Sequence, residues 1–166
     1  MESDVTASSL ERFVAQRGRA LLRAAWLLVG DDHHAEDLLQ TALSKCYTRY
    51  DALANDHKFE AYVRTTLYRT YVSWWRRLSW RGESASEDVR QPPVEAADVA
   101  LRVDVLKALD TLPRMQRAVL VMRYLEDRSI ADVAKTLGIS TGTVTTYTAR
   151  GVRALREAPH LMEARA

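Results

Sequence analysis

The chain has 166 residues, of which 47% are hydrophobic and 28% are charged, and its formal net charge is +2. This composition is typical of a folded globular protein and excludes disorder throughout, while the length fits one mid-sized domain or two small ones. Because the charges nearly balance, affinity for nucleic acid has to come from their distribution along the chain.

The sequence lacks the features of disulfide-bonded, membrane-spanning and secreted proteins. Cys46 is the only cysteine, so an intramolecular disulfide cannot form. The longest apolar runs, such as Ala24 to Val29, are far too short to span a bilayer. Residues 1–9 are polar and include Glu2 and Asp4, unlike a signal peptide. We therefore expect a cytoplasmic protein without a membrane partner.

Apolar residues recur every three or four positions almost throughout the chain, which predicts an all-α fold. The first helix is expected to follow a cap at Ser8 or Ser9 and to stop at Gly30. The second is expected from Asp32 to about Tyr50. The predicted inward positions are Leu10, Phe13, Val14, Leu21, Ala24, Ala25 and Leu28 in the first helix and Ala35, Leu38, Leu39, Ala42, Leu43, Cys46, Tyr47 and Tyr50 in the second.

The N-terminal half of the second helix turns a polar face outward, formed by Glu36, Asp37, Gln40 and Thr41. With His33 its carboxylates could in principle ligate a metal, but such sites need further ligands, and His57 and His160 have no such neighbours. Stabilisation of acidic residues by the helix dipole is the simpler interpretation. We expect no metal and no cofactor, and Cys46 is expected to be a core residue rather than a nucleophile.

A third helix is expected from Lys58 to about Trp80. Its predicted inward positions are Phe59, Val63, Leu67, Tyr71, Trp74 and Leu78. Residues 62–82 contain no acidic residue, and their aromatic and cationic side chains include Arg64, Tyr68, Arg69, Trp75, Arg76, Arg77, Trp80 and Arg81. Surface helices usually mix charge signs so that neighbours pair, and this helix offers its arginines no partner. The pattern favours binding to unpaired bases and phosphates over a merely solvated face.

Residues 82–97 reverse the charge. This stretch holds several acidic residues and the Pro92-Pro93 pair, which disfavour regular structure. We interpret it as a flexible acidic linker that divides the chain into two small helical domains, residues 1–81 and 98–160. Helical periodicity resumes after it, and Pro113 is expected to open a further helix. The apolar positions that follow are Val119, Leu120, Met122 and Tyr124.

Residues 130–149 fit a helix-turn-helix. Ser129 can cap the first helix, with Asp132 reaching back as in a capping box, and Gly138 stands where the helix must end in a left-handed residue. Ser140 can cap the second helix. A helical hairpin without a role in DNA binding is the weaker alternative, because several constrained positions agree at once.

The second helix of this motif has one core face and one polar face. The predicted core positions are Val144, Thr148, Gly151 and Leu155, and the predicted outward positions are Thr141, Thr145, Thr146, Ala149, Arg150 and Arg153. Threonine can touch base edges, and arginine can bind guanine or phosphate. We therefore expect this helix to lie in a major groove.

The order of these features resembles the extracytoplasmic-function sigma factors, the smallest members of the sigma-70 family. The most specific stretches are residues 32–40, which look like region 2.2, and residues 112–120, which look like the opening of region 4. Residues 73–77, Ser-Trp-Trp-Arg-Arg, are similar to an actinobacterial branch of the family. The resemblance covers residues 10–155 and implies a factor that directs promoter-specific initiation by RNA polymerase.

The resemblance also implies roles for particular surfaces. The polar face of the second helix would dock on the β′ clamp helices of core polymerase, and the β flap would be a further polymerase contact. The loop Ala52–Lys58 and the face bearing Arg64, Tyr68, Arg69 and Trp75, continued by Arg76 and Arg77, would take the non-template strand of the −10 element. The outward face of residues 141–153 would read the −35 duplex. An anti-sigma protein is a possible further partner.

Some positions depart from the family pattern. Arg69 stands where asparagine is frequent, and Thr145 and Tyr147 stand where lysine or arginine is frequent, so the promoter sequence cannot be borrowed from relatives. The main alternative function is a dimeric repressor or activator that binds duplex operators. It would leave the arginine-rich helix and the polar face at Glu36 unexplained. No Gly-rich phosphate loop or other catalytic pattern is present in the sequence, so an enzyme is not expected.

Overall fold

The computed structural model describes residues 2–53, 55–81 and 104–158, with side chains described for residues 9–53, 55–77 and 104–158. Its contacts divide the chain into two compact units, Met1–Trp26 with His33–Ala85, and Leu27–Asp32 with Ser86–Ala166. Every secondary-structure element in the described ranges is a helix, which confirms the predicted all-α fold. The predicted linker, residues 82–97, lies outside the described residues.

The first unit is built mainly from three long helices. They are α1 (Glu2–Val29), α2 (Asp32–Cys46) and α4 (Asp56–Arg81), with the short α3 (Tyr50–Leu53) before α4. Gly30 follows α1 with a φ of 82°, as predicted, since glycine adopts this left-handed conformation without strain. The predicted start of α1 at Ser8 or Ser9 is wrong. The helix begins at Glu2, because neither glycine nor proline interrupts it there and acidic residues favour a helix N-terminus.

The connection from α2 to α4 contains more helical residues than the sequence predicts. The α-helix ends at Cys46 and tightens into a 3-10 turn, Tyr47–Arg49. This turn breaks the helical register, so Tyr47 is 58% exposed and the predicted inward position is wrong. The side-chain oxygen of Asn55 accepts a hydrogen bond from the Lys58 N–H at 3.1 Å, within the first turn of α4. Much of the expected loop Ala52–Lys58 is therefore helical.

The core of the first unit joins one stripe from each long helix. The Phe59 ring meets the rings of Phe13 and Tyr50 edge-on, both at a centroid distance of 4.9 Å. Val14 is 38% exposed, which corrects its predicted inward position, because Phe13 beside it occupies the core. Further buried residues of this unit are Leu21, Ala24, Ala25, Ala35, Leu38, Leu39, Ala42, Cys46, Val63, Leu67 and Tyr71.

The second unit holds four helices in its described part. They are α5 (residues 104–110), α6 (Arg114–Leu120), α7 (Ile130–Leu137) and α8 (Thr141–Glu157). Pro113 precedes α6 as predicted. A π-helical turn, Val121–Leu125, follows α6 and shifts the register, so Tyr124 is 64% exposed and does not continue the apolar stripe.

Helices α6 and α8 approach each other very closely at Gly151. A Cβ atom added to Gly151 would lie 2.7 Å from Cδ1 of Leu120, inside contact distance. Leu120 belongs to an apolar cluster with Leu109 and Leu112, and Val152 and Leu155 of α8 pack against the same cluster. Glycine at this position therefore allows α8 to pack closely against α6.

We predict that Gly151→Ala destabilises the protein by about 1–2 kcal/mol net, because overpacking against Leu120 costs about 1–3 kcal/mol and the gain in helix propensity offsets about 0.5–1 kcal/mol of it. Gly142→Ala is the matched control in the same helix, where the nearest atom to an added Cβ is 3.9 Å away. This control should be stabilising by about 0.5–1 kcal/mol. Chemical denaturation followed by circular dichroism measures both, and equal effects of the two substitutions would show that the close approach is absent.

Candidate nucleic-acid and polymerase interfaces

The helix-turn-helix has the capping geometry that the sequence predicts. The Ser129 hydroxyl accepts the Asp132 N–H at 3.1 Å, and the Ser140 hydroxyl accepts the Thr143 N–H at 3.0 Å. Gly138 ends α7 in the left-handed conformation, with a φ of 68°. The Asp132 carboxylate does not complete the expected capping box and instead lies 3.7 Å from Nε of Arg128. These local bonds fix where α7 ends and α8 begins.

The rotation of α8 about its axis decides which residues can meet a ligand. Val144 is fully buried and Gly151 faces Leu120, so the opposite side of the helix is turned to solvent. All six side chains of the predicted outward face are exposed, namely Thr141, Thr145, Thr146, Ala149, Arg150 and Arg153. Their orientation agrees with the prediction, and their role as −35 contacts stays a prediction.

An open groove runs beside this exposed face. Arg123 and Tyr124 from the π-helical turn and Ile130 from α7 line one side, and α8 contributes Arg150, Arg153 and Arg156. Sequence reasoning missed Arg123, Tyr124 and Arg156. The recurrence of arginine every three residues from Arg150 to Arg156 was the available signal, whereas the exposure of Tyr124 depends on the π turn. Arg123 donates to the Arg128 carbonyl, and the acidic Glu157 also lines the groove, so Arg156 is the exposed cation that this groove adds to Arg150 and Arg153.

Among the α4 residues with described side chains, the exposed arginines are Arg69, Arg76 and Arg77. Trp75 is half-buried, and its ring packs edge-on against Tyr71 with centroids 6.2 Å apart. Tyr68 is fully buried, so its predicted outward position is wrong. The reason is that α4 is buried over a wide arc, which takes in Tyr68 and Thr70 besides the expected stripe. Of the residues predicted to stack on bases, Tyr68 is buried, so Trp75 is the remaining candidate among those whose side chains are described.

Arg64 also differs from its prediction, because it has an acidic partner. Its Nε and Nη2 atoms donate to Oε1 of Glu60 at 3.2 Å and 3.1 Å. Arg17 of α1 holds the same carboxylate with two bonds, Nε to Oε2 at 2.8 Å and Nη2 to Oε1 at 2.6 Å. The Glu60 cluster, defined as Arg17, Glu60 and Arg64, thus joins α1 to α4.

Glu60 is nearly buried, and burial by itself would raise the pKa of its carboxyl group. The hydrogen bonds and charges of Arg17 and Arg64 outweigh burial, so this pKa lies below its ordinary value. The hydrogen bond to Glu60, with its charge, raises the pKa of Arg17. All three groups are therefore ionised at neutral pH, and the cluster has one more positive charge than negative.

The predicted polymerase-binding face lies on α2. Glu36, Asp37 and Gln40 are exposed, and Thr41 is half-buried with its hydroxyl donating to the Asp37 carbonyl at 2.7 Å. His33 Nε2 stands 3.7 Å from Oδ2 of Asp37. Among the described residues no group of histidine, cysteine and carboxylate side chains is arranged to hold a metal ion. Burial raises the pKa of the Cys46 thiol, which fits a core residue rather than a nucleophile.

Comparison with protein families assigns both units. A model described as "Sigma-70 region 2" matches residues 13–81, and one described as "Sigma-70, region 4" matches residues 102–155. The chain belongs to the sigma-70 family. It is 40% identical to an RNA polymerase sigma-E factor of Streptomyces avermitilis over 152 residues, which cover 89% of this chain and 83% of that protein. Its homologues include members named ECF sigma factors, the group that the sequence resembles.

The chain is also similar to a second named sigma factor and to a solved structure. The ECF RNA polymerase sigma factor SigE of Mycolicibacterium smegmatis is 29% identical over 157 residues, covering 90% of this chain and 61% of that protein. The sigma factor RpoE of Bartonella quintana, solved in complex with the anti-sigma factor NepR, has a TM-score of 0.68 at 23% identity, covering 90% of this chain and 96% of that chain. This likeness shows a shared fold. No helix in the described ranges has the length and hydrophobicity needed to cross a membrane.

The lowered pKa of Glu60 gives a testable dependence of stability on pH. A carboxylate whose pKa is lower in the folded state stabilises the fold above its ordinary pKa of about 4.3, and this stabilisation is lost as the pH falls through the folded value. Glu60→Gln should therefore destabilise the protein most at neutral pH. The difference from wild type should shrink in acid.

Urea denaturation of both proteins across this pH range is the measurement. Glu11→Gln makes the same substitution at an exposed position of α1, so it serves as the matched control and should show little difference at any pH. A deficit for Glu60→Gln that stays constant from neutral to acidic pH would contradict the assigned ion cluster.

Proposed function

We propose that this chain is an initiation factor that brings core RNA polymerase to promoters, with the first unit capturing the −10 strand as it opens and the second reading the −35 element as duplex. The observation that supports this most is that the two family matches, to sigma regions 2 and 4, fall on two surfaces of different chemistry. One combines exposed arginines with a half-buried indole, and the other is a capped helix-turn-helix.

The division of labour follows from what each surface can bind. An unpaired base offers its ring face, which stacks on an indole, and its phosphates attract guanidinium groups. Trp75 with Arg69, Arg76 and Arg77 provides these groups. A closed duplex offers base edges in a major groove of a width that admits a helix. The exposed face of α8 presents threonines and arginines for that groove.

The same proposal assigns the polymerase contacts. The α2 face of Glu36, Asp37, Gln40 and Thr41 binds the β′ clamp helices, and the second domain meets the β flap. Residues 1–81 and 98–160 form the two working domains, and residues 82–97 form the acidic linker between them. The protein acts in the cytoplasm without catalytic chemistry of its own. Because the structural neighbour RpoE was solved with an anti-sigma factor, such a partner is proposed for this chain too.

Run-off transcription with purified core polymerase tests the proposal. A genomic library of promoter fragments, followed by mapping of the start sites, should show initiation only when this chain is added. A dimeric repressor or activator would instead bind a palindromic duplex without polymerase and would start no transcripts. Failure to join core polymerase and to give selective starts would remove the proposed function.

Removing the exposed arginine pair near the end of α4 should impair promoter opening. Arg76→Ala with Arg77→Ala takes away two cations that we assign to the non-template strand, so permanganate footprinting should show fewer reactive thymines in the −10 region. Association with core polymerase should persist. Arg19→Ala with Arg23→Ala removes the same charge from exposed positions of α1 and is the control. Equal footprints for the two double variants would refute the strand contact.

The exposed arginine in the middle of α8 should contribute to −35 recognition. Arg150→Ala should weaken binding or relax the base preference at one −35 position by about 1–3 kcal/mol, measured by competition among −35 variants. Lys107→Ala removes one exposed cation from α5 of the same unit and should leave the preference unchanged. An Arg150→Ala profile that matches wild type at every −35 position would disprove the assignment.

The acidic face of α2 should be essential for polymerase association. Asp37→Arg reverses a charge in the centre of that face, and gel filtration with core polymerase should no longer show a complex. Glu11→Arg makes the same charge change at an exposed position of α1 and should still bind. A stable complex of the Asp37→Arg protein would show that the polymerase-binding face lies elsewhere.

A further inference from the structure

The N-terminal half of α8 has no charged side chain. Recognition helices contact base edges with their N-terminal residues. In α8 this half, residues 141–149, contains no lysine, arginine, aspartate or glutamate, and the arginines follow at Arg150, Arg153 and Arg156. Arginine and lysine are the side chains that most often read guanine, through its O6 and N7 acceptors. The part of α8 that would meet base edges therefore lacks the usual reader of a G·C pair.

Thr145 is exposed in the second turn of α8, and its hydroxyl group is already hydrogen-bonded. Its Oγ1 atom lies 3.1 Å from the carbonyl oxygen of Thr141. Because a carbonyl oxygen can only accept, the Thr145 hydroxyl is the donor. A hydroxyl group has one proton to donate, so what its oxygen can still do is accept. Thr145 thus offers a ligand one acceptor and one methyl group.

The same hydrogen bond orients the methyl group of Thr145. Threonine is branched at Cβ, so the χ1 rotamer that places Oγ1 on the carbonyl of the preceding turn also fixes the direction of the methyl group. Thr148 makes the equivalent bond to the Val144 carbonyl at 2.7 Å, but Thr148 is half-buried whereas Thr145 is exposed. A side chain that is already held in one rotamer loses little entropy when a ligand binds.

An A·T pair is the base pair that matches an acceptor combined with a methyl group. In the major groove the donors are the N6 amino group of adenine and the N4 amino group of cytosine, and the methyl group belongs to thymine. A·T therefore offers a donor and a methyl group together. A G·C pair offers a donor without a methyl group, and it adds the two acceptors of guanine, which the Thr145 oxygen cannot satisfy.

We propose that Thr145 determines specificity by selecting an A·T pair in the −35 element. Its oxygen accepts a hydrogen bond from N6 of adenine, and its methyl group contacts the methyl group of thymine. A lysine or arginine, frequent at this position in the family, would offer donors instead. This inference rests on the proposed −35 recognition by the second unit, and it adds the chemistry of one base pair to it.

A scan of the −35 element locates the pair that Thr145 reads. The full-length chain is bound to core polymerase, and promoter duplexes with each −35 base pair exchanged between A·T and G·C compete for it. At one A·T pair the wild-type protein should discriminate against G·C, and Thr145→Ala should not. Thr146→Ala is the matched control, because Thr146 is exposed at the next position, about 100° around the helix axis. It should retain the discrimination at that pair.

Modified bases at this pair then separate the two contacts. Deoxyuridine in place of thymine removes the methyl group and should weaken wild-type binding about fourfold. Deoxyribosylpurine in place of adenine removes the N6 amino group and should weaken it about fivefold. Thr145→Ser, which lacks the methyl group, should respond only to the purine. Thr145→Val, which lacks the oxygen, should respond only to deoxyuridine.

Two results would overturn the inference. One is a base preference of Thr145→Ala that equals wild type at every −35 pair, or that differs only at a G·C pair. The other is a response of Thr145→Ser to deoxyuridine, or of Thr145→Val to the purine, as large as that of wild type. Thermal melts establish that each variant is folded. If no −35 exchange affects the wild-type protein, the proposed −35 recognition itself fails, and this outcome is distinct from both.

Discussion

The close packing of α8 against α6 determines which side of α8 is exposed in the second unit. Gly151 lies against Leu120 with no room for a Cβ atom, and Val144, two helical turns earlier, is fully buried. These two positions fix the rotation of α8, and the rotation alone decides that the threonines and arginines face solvent. The absence of a side chain at Gly151 thus determines which residues of α8 are exposed and can contact DNA.

In the first unit, an ionic contact between α1 and α4 orients these two helices, as the contact of Gly151 with Leu120 orients α8 in the second unit. Glu60 accepts four hydrogen bonds, of which the two from Arg17 join α1 to α4 and the two from Arg64 lie within α4. The aromatic contacts of Phe59 with Phe13 and Tyr50 lie at the neighbouring position of α4. The apolar contacts supply the larger share of stability, because burial of aromatic area outweighs the net value of ion pairs. The ion pair of Arg17 with Glu60 instead specifies which edges of α1 and α4 meet.

Local rules explain why the helix-turn-helix is predictable from sequence. Its caps at Ser129, Gly138 and Ser140 depend on residues within four positions, so their spacing in the sequence already determines the geometry. The outward face of α8 follows from the same helical period. Tyr47 and Tyr124 were mispredicted because a 3-10 turn and a π turn shift the register, and neither turn has a clear sequence signature.

The errors on α4 have a different origin. The burial of Tyr68 results from packing against other helices, which periodicity within one helix does not reveal. The partner of Arg64 was visible in principle, since Glu60 stands four residues earlier, just outside the stretch that contains no acidic residue. Arg17 is distant in sequence, and only the fold brings it to Glu60. Of the predicted strand contacts on α4, Arg69, Arg76 and Arg77 are exposed and Trp75 is half-buried, whereas Tyr68 is buried and Arg64 is bound to Glu60.

The central claim is that the two units act on different promoter elements, and tethered cleavage tests it most directly. Cys46 is buried, so a single cysteine introduced at Arg77 or at Thr146 can be labelled selectively with an iron chelate that cleaves nearby DNA. In complexes of labelled protein, core polymerase and promoter, the account predicts cuts around the −10 element from position 77 and around the −35 element from position 146. Cuts in one shared region from both positions, or at neither element, would contradict it.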